Sequence, residues 1–227
     1  MLKIRILTIF IFTVDIITGA KDPADFCYVL AYSWTPDFCG DKGYPGCKKP
    51  DPYWVKNFTL HGLWPQFTDS TGYPSFCDKE PYSPDAPKKV GMDKMVKYWP
   101  NVKYSVDDPS YGSFWEHEWS KHGTCTGLEQ SKYFESAVDL LLKFGSPSIL
   151  SDSVGHSMSA EDLRRAMGGD NMVSLQCDGN KKDTLSGAFT CWTQKYGIPG
   201  SQIICPDDVR KEDTCVTDNI VIKKLSN

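Results

Sequence analysis

Residues 26–34, FCYVLAYSW, are rich in β-forming side chains and have the length of a core strand. Residues 35–52 carry Pro36, Gly40, Gly43, Pro45, Gly46, Pro50 and Pro52 and read as a long loop. A second strand is predicted over 58–60, ending at His61 and Gly62 before Trp64 and Pro65 turn the chain. Proline and glycine mark 68–87 as loop, and 88–99 reads as a helix stopped by Pro100, with Val90, Met95, Val96 and Trp99 inward. A further loop covers 101–113. Thr126 and Glu129 have the spacing of a capping box, which predicts a helix running to about Lys143 with Phe134, Ala137, Val138, Leu140 and Leu141 as its apolar side. Ser159 with Asp162 predicts another helix start and Gly168-Gly169 its end. β-forming runs follow at 172–177, 187–193 and 201–204. Strands and helices mix without a βα repeat, so the fold class is α+β.

The stretch 114–125, FWEHEWSKHGTC, breaks the usual pattern of an amphipathic helix. Phe114, His117, Glu118, Lys121 and His122 follow the i, i+3, i+4, i+7, i+8 spacing of one face, which ordinarily is apolar. Here that face is titratable, while Trp115 and Trp119, four apart on a neighbouring face, are placed to anchor the helix by burial. The competing reading is a solvated helix end laced with ion pairs. Two imidazoles beside a cation and a carboxylate point instead to proton transfer, because imidazole titrates nearest neutrality. A zinc site is disfavoured: His117 and His122 are five apart, whereas the HExxH pattern places its histidines four apart on one face. His61, at a strand end beside glycine, is placed to face a cleft, although a lone histidine there is more often structural. His156 sits in a loop, SVGHSMS, without a titratable neighbour, and reads as surface.

Composition places this chemistry in a compartment. The chain has 227 residues with 40% hydrophobic content, enough for one large domain. Residues 1–20 have a basic start, an apolar run over 6–14 and small residues at Gly19 and Ala20, and read as a secretory signal too short to be a membrane anchor. Its removal takes away Lys3, Arg5 and Asp15, together +1, so the net charge of −4 becomes −5. Such a chain would meet a polyanion through a local pocket and not through a general positive surface. All nine cysteines lie beyond residue 20 and in a secreted chain read as disulfides with one thiol left over. Cys27, inside the first apolar run, reads as that thiol, buried as a small hydrophobe. Asn57-Phe58-Thr59 is a glycosylation sequon.

Together, TLHGLWP at 59–65 and FWEHEWSKHGTC at 114–125 resemble the two active-site segments of the ribonuclease T2 family, secreted acid ribonucleases. The resemblance extends from Cys27 to Cys215, resting outside the motifs on cysteine placement and aromatic pattern. It implies one disulfide-bonded domain over 21–227, built on a central antiparallel sheet with several helices. It also implies an endoribonuclease, secreted or held in a lysosome-like compartment, that cleaves single-stranded RNA through a 2′,3′-cyclic phosphate. Carried over by position, His122 is the implied general base and His61 the general acid, exchanging roles in the second step. His117 binds phosphate, Glu118 and Lys121 stabilise the transition state, and Trp64 and Phe114 each contact a base. The implied disulfides are Cys39 with Cys47, Cys77 with Cys125, Cys177 with Cys215, and Cys191 with Cys205. Neither metal nor cofactor is expected, nor DNA or membrane binding, and the family implies a monomer.

The chemistry needs no more than these groups: one to take the 2′-OH proton, one to protonate the leaving 5′-oxygen, and cations for the phosphorane charge. Two departures leave nucleotide preference open. Gln66 stands where many relatives carry an acidic or amide residue that helps hold a base, and the first strand reads VLAYSW instead of VLQW. A binding or signalling protein on an inactive scaffold is the rival reading, favoured by loss of any of His61, His117, Lys121 or His122. All four are present.

Overall fold

A computed structural model describes residues 26–225, so the leader read at 1–20 lies outside the described residues. The chain runs β1 (Phe26–Ser33), α1 (Thr35–Cys39), α2 (Pro45–Lys48), β2 (Thr59–Phe67), α3 (Asp85–Val90), α4 (Met92–Tyr98), α5 (Ser113–Lys121) and α6 (Gln130–Phe144). It continues through α7 (Ser148–Asp152), β3 (Ser157–Ser159), α8 (Ala160–Ala166), β4 (Val173–Asp178), β5 (Thr184–Lys195), β6 (Ile198–Ile203), α9 (Asp207–Arg210) and β7 (Asn219–Val221). This is an α+β fold whose strands form one sheet in the order β2-β1-β5-β7-β3, with β4 and β6 also paired to β5. The central sheet is antiparallel as expected, and β7 adds one parallel contact to β5, at Thr184 and Val221. A parallel contact requires a long crossover, and the passage through β6 and α9 supplies it.

The interior is aromatic. Trp34, Trp99, Trp115, Trp119, Trp192, Tyr28 and Tyr133 are all essentially solvent-free, and α6 turns Phe134, Ala137, Val138 and Leu141 into the same core. Cys39 pairs with Cys47, Cys77 with Cys125, Cys177 with Cys215 and Cys191 with Cys205. Cys27 is a buried free thiol, pushed up to about 11 by burial.

Several expectations change in the structure. The segment 35–52 holds two short helices, each with proline in its first turn, where the missing N–H costs nothing. β2 runs on through Trp64 and Pro65 to Phe67 because it is an edge strand paired only to β1, and an edge tolerates proline. The helix expected over 88–99 is two helices that begin at Asp85 and break at Gly91, whose φ of 112° no helix accommodates. The capping box at Thr126 does not form, because Gly127 has a φ of 71° and the first turn cannot start there. Thr126 Oγ1 instead donates to the Gly123 carbonyl at 2.7 Å and accepts from Leu128 N–H at 3.1 Å, and α6 starts at Gln130. At Ser159 the expected cap is present: its hydroxyl accepts from Asp162 N–H at 3.3 Å.

Candidate active site

His61 owes its position to an irregularity in the edge strand. Tyr32 pairs with Leu60 and Ala31 with Gly62, so His61 is the extra residue of a β-bulge and turns away from the regular alternation. Its side chain remains 46% exposed. Its backbone is fixed from below, where Trp99 Nε1–H donates to the His61 carbonyl at 2.9 Å and Trp115 Nε1–H donates to the Trp99 carbonyl at 2.9 Å. The buried tryptophan face of α5 therefore sets the depth of His61 as well as anchoring its own helix.

On α5, His117 is exposed, Phe114 and Lys121 are half-buried, and His122 closes the helix as its C-cap, its N–H donating to Glu118 O at 3.0 Å. Glu118 departs from the titratable surface expected of this face: its side chain is only 1% exposed. Burying a carboxyl requires partners. Trp64 Nε1–H donates to Glu118 Oε2 at 2.8 Å, and His61 Nε2 lies 3.7 Å from Glu118 Oε1. Gly62 is what lets these groups close up, because a Cβ there would collide with both Glu118 Oε2 and the Trp64 indole nitrogen. Gly123 does the same for the second motif, where a Cβ would strike the Trp119 ring.

The Trp64 indole contacts both histidines. His61 meets it edge-on with ring centroids 5.2 Å apart, and His122 stacks on it at 5.0 Å with an interplanar angle of 22°. Phe114 lies against His61 at 5.4 Å. His122 is buried and its Nδ1 has no hydrogen-bond partner among the described residues.

Burial governs the charges. Desolvation, then His117 and Lys121, bring His61 down to about 4. Desolvation followed by the cations Lys121, His117 and His61 brings His122 down to about 3. His117 is lowered too, by desolvation and then Lys121. Glu118 moves the other way, raised to about 8 by burial against the pull of its Trp64 hydrogen bond and of Lys121.

Two clefts border this row of rings. One, of about 400 Å³, is bordered by His61, Phe114, His117 and Asn101. The other, of about 190 Å³, is bordered by Trp64, Gln66, Tyr73, Lys121, His122 and Glu212. All seven residues expected to act or bind thus lie around one site, Glu118 through its contacts with Trp64 and His61, and His156 is exposed outside it. Tyr73 and Glu212 also border it and carried no sequence signal, one coming from a proline-punctuated loop and the other from the turn after α9. Tyr73 lies 5.9 Å from the His122 ring and 5.5 Å from Lys121 Nζ. Among the described residues no three His, Cys, Asp or Glu side chains come together as a metal site, and no helix is long and apolar enough to cross a membrane.

Residues 25–198 match the ribonuclease T2 family. The chain is 32% identical over 200 residues to ribonuclease T2 of Sus scrofa, covering 79% of this chain and 92% of that one. It is 31% identical over 217 residues to extracellular ribonuclease LE of Solanum lycopersicum, covering 88% of each. Among solved structures, RNase NT in complex with 5′-AMP superposes with a TM-score of 0.63 at 25% identity, covering 80% of this chain and 90% of that one.

Proposed function

The chain belongs to the ribonuclease T2 family and is an endoribonuclease, and from that premise we propose that it cleaves single-stranded RNA, outside the cytosol, by metal-independent transphosphorylation. The observation that carries this reading is that His61 and His122 both contact the Trp64 indole, with a cleft bordering each histidine.

His122 takes the proton from the ribose 2′-OH. It is the imidazole held lowest, at about 3, so it stays neutral and able to accept a proton even in acid. His61 protonates the departing 5′-oxygen. Its own value in the unliganded cleft is about 4, but Glu118 beside it keeps its proton up to about 8. Across neutral pH the pair therefore holds one proton between two acceptors, and the negative charge of a bound phosphate draws that proton towards His61. Lys121 brings positive charge to the phosphate and to the phosphorane that forms from it, and His117, lowered in the unliganded cleft, binds the phosphate as a hydrogen-bond donor and becomes cationic when the bound anion favours its proton. The 2′-oxygen displaces the 5′-oxygen and leaves a 2′,3′-cyclic phosphate. In the second step the roles reverse, with His61 activating water and His122 returning its proton to the 2′-oxygen. DNA lacks the 2′-OH and does not react. Trp64 and Phe114 hold the bases on either side of the scissile phosphate by ring contact.

Four disulfides fit an oxidising compartment, and with the leader read at 1–20 they support a mature protein in the secretory route, secreted or in a lysosome-like vacuole, acting as a monomer. In the folded chain Asn57 Nδ2 donates to the Tyr53 carbonyl at 3.0 Å and Thr59 is buried, so a glycan on Asn57 would be added before folding.

The test is to incubate the mature protein with homopolymeric RNA and DNA in the presence of a chelator, beside His122→Ala. RNA alone should be cut, with cyclic-phosphate ends, and the variant should be slower by on the order of 10²-fold or more. Cleavage abolished by the chelator, or intact RNA with folded protein, would overturn the reading.

A further inference from the structure

The smaller cleft, beside His122, carries a different polar set from the one Gln66 announces. Gln66 is buried, and its amide nitrogen donates to the Gly72 carbonyl at 3.0 Å and to Asp208 Oδ2 at 2.6 Å. Both its N–H groups are thereby used within the protein. Asp208 is occupied as well, accepting from Gly72 N–H at 3.1 Å and from Val209 N–H at 3.0 Å. Glu212 is placed otherwise. It borders the cleft with Trp64, Tyr73 and His122, and among the described residues no donor is hydrogen-bonded to its carboxylate. Its backbone is held by Gln176 Nε2–H, which donates to the Glu212 carbonyl at 2.8 Å. Partial burial, and then the charge of Asp208, keep its carboxyl above the usual range.

We infer that Glu212 reads the base seated in this cleft, its carboxylate accepting two hydrogen bonds from the Watson–Crick edge of guanine. The inference rests on the ribonuclease reading above. The groups left to meet a base edge are the Glu212 carboxylate and the Gln66 side-chain oxygen, both acceptors, and the Tyr73 hydroxyl, which donates or accepts and so does not by itself select a base. Lys121, the cation of the cleft, lies over the Tyr73 ring and serves the phosphate. Guanine presents two adjacent donors, N1–H and the N2 amine, which match the two oxygens of a carboxylate. Adenine and cytosine present one amine beside a lone pair, which faces the second oxygen unfavourably. Uracil presents one N–H between two carbonyls. The expected order at this cleft is guanine, then adenine and cytosine, then uracil.

The experiment measures kcat/KM of the mature protein on GpU, ApU, CpU and UpU, so that only the first base varies. GpU should be cut fastest, and Glu212→Ala should lower the GpU to UpU ratio by about tenfold or more. Glu212→Gln, of the same size, presents one donor and one acceptor and should turn the preference from GpU towards ApU and CpU, a change that a purely structural role would not produce. A ratio unchanged in both variants, or a wild-type preference for UpU, overturns the inference while leaving the ribonuclease reading intact. If folded wild-type protein cuts none of the four, the ribonuclease reading fails and the inference with it.

Discussion

Glu118 is a carboxyl 1% exposed, hydrogen-bonded to one indole and 3.7 Å from one imidazole. Replacing it by Gln keeps its shape and removes its proton. Without that reservoir His61 titrates at its own lowered value, so the alkaline limb of the kcat/KM profile should move towards acid, while the acid limb, set by His122, stays. A lower rate with an unmoved alkaline limb would mean that Glu118 acts only through charge. The same residue predicts a stability effect. Its folded value, about 8, lies above the ordinary 4.5, so between those values the folded state binds more proton than the unfolded one and wild-type stability falls as pH rises. The Gln variant does not titrate. Its advantage in thermal denaturation should therefore grow with pH through that window, by up to about 1.4 kcal/mol per pH unit, and level off above it. At this scale the stretch 114–125 was legible because helical spacing fixes which side chains share a face. The burial of Glu118 was not, since it depends on Trp64 and Gly62, which arrive from another strand.

At the scale of the elements, the site depends on an edge strand that bulges and a helix that packs by its tryptophans. The strand was legible only up to Leu60, because Gly62 and Pro65 read as terminators. Pairing with β1 on one side alone, a tertiary fact, lets β2 continue through both. The bulge itself left no mark in the sequence beyond the glycine next to it. Likewise Gly91 and Gly127 carried the information that divides one helix and delays another, but a glycine's sign of φ depends on what surrounds it. These points make Gly62 the position to test. Gly62→Ala places a Cβ against Glu118 and the Trp64 indole, and overpacking of this kind costs about 1–3 kcal/mol. Activity should suffer more than stability, because a shift of about 1 Å between His61 and its partners costs on the order of 10²-fold in rate. Urea denaturation and kcat measured on the same preparation separate the two effects. Equal, small losses in both would show that the collision is relieved without moving the site.

Across the whole molecule, the first motif lies on the sheet and the second on a helix, so their relative placement needs a tether. Phe76 N–H donates to the Lys121 carbonyl at 2.9 Å, and next to it Cys77 is bonded to Cys125, just past His122. The bridge spans 48 residues, for which loop-closure entropy gives roughly 4 kcal/mol, reduced in practice by residual structure in the unfolded chain. The bond between Cys177 and Cys215 closes a similar span of 38 residues but ties β4 to the segment after α9. Near-equal spans make the two a controlled pair. Replacing either pair by alanines should lower stability to a similar extent, about 2–4 kcal/mol by chemical denaturation. Only the loss of the bond between Cys77 and Cys125 frees the segment that ends α5, and with it the position of His122 against Trp64. Measured under conditions where both variants remain folded, kcat/KM on RNA should therefore fall severalfold or more for the Cys77/Cys125 variant and stay closer to wild type for the other. Equal activity losses would mean that the bridge stabilises the fold without positioning the base, and that the stacking of His122 on Trp64 suffices to hold it.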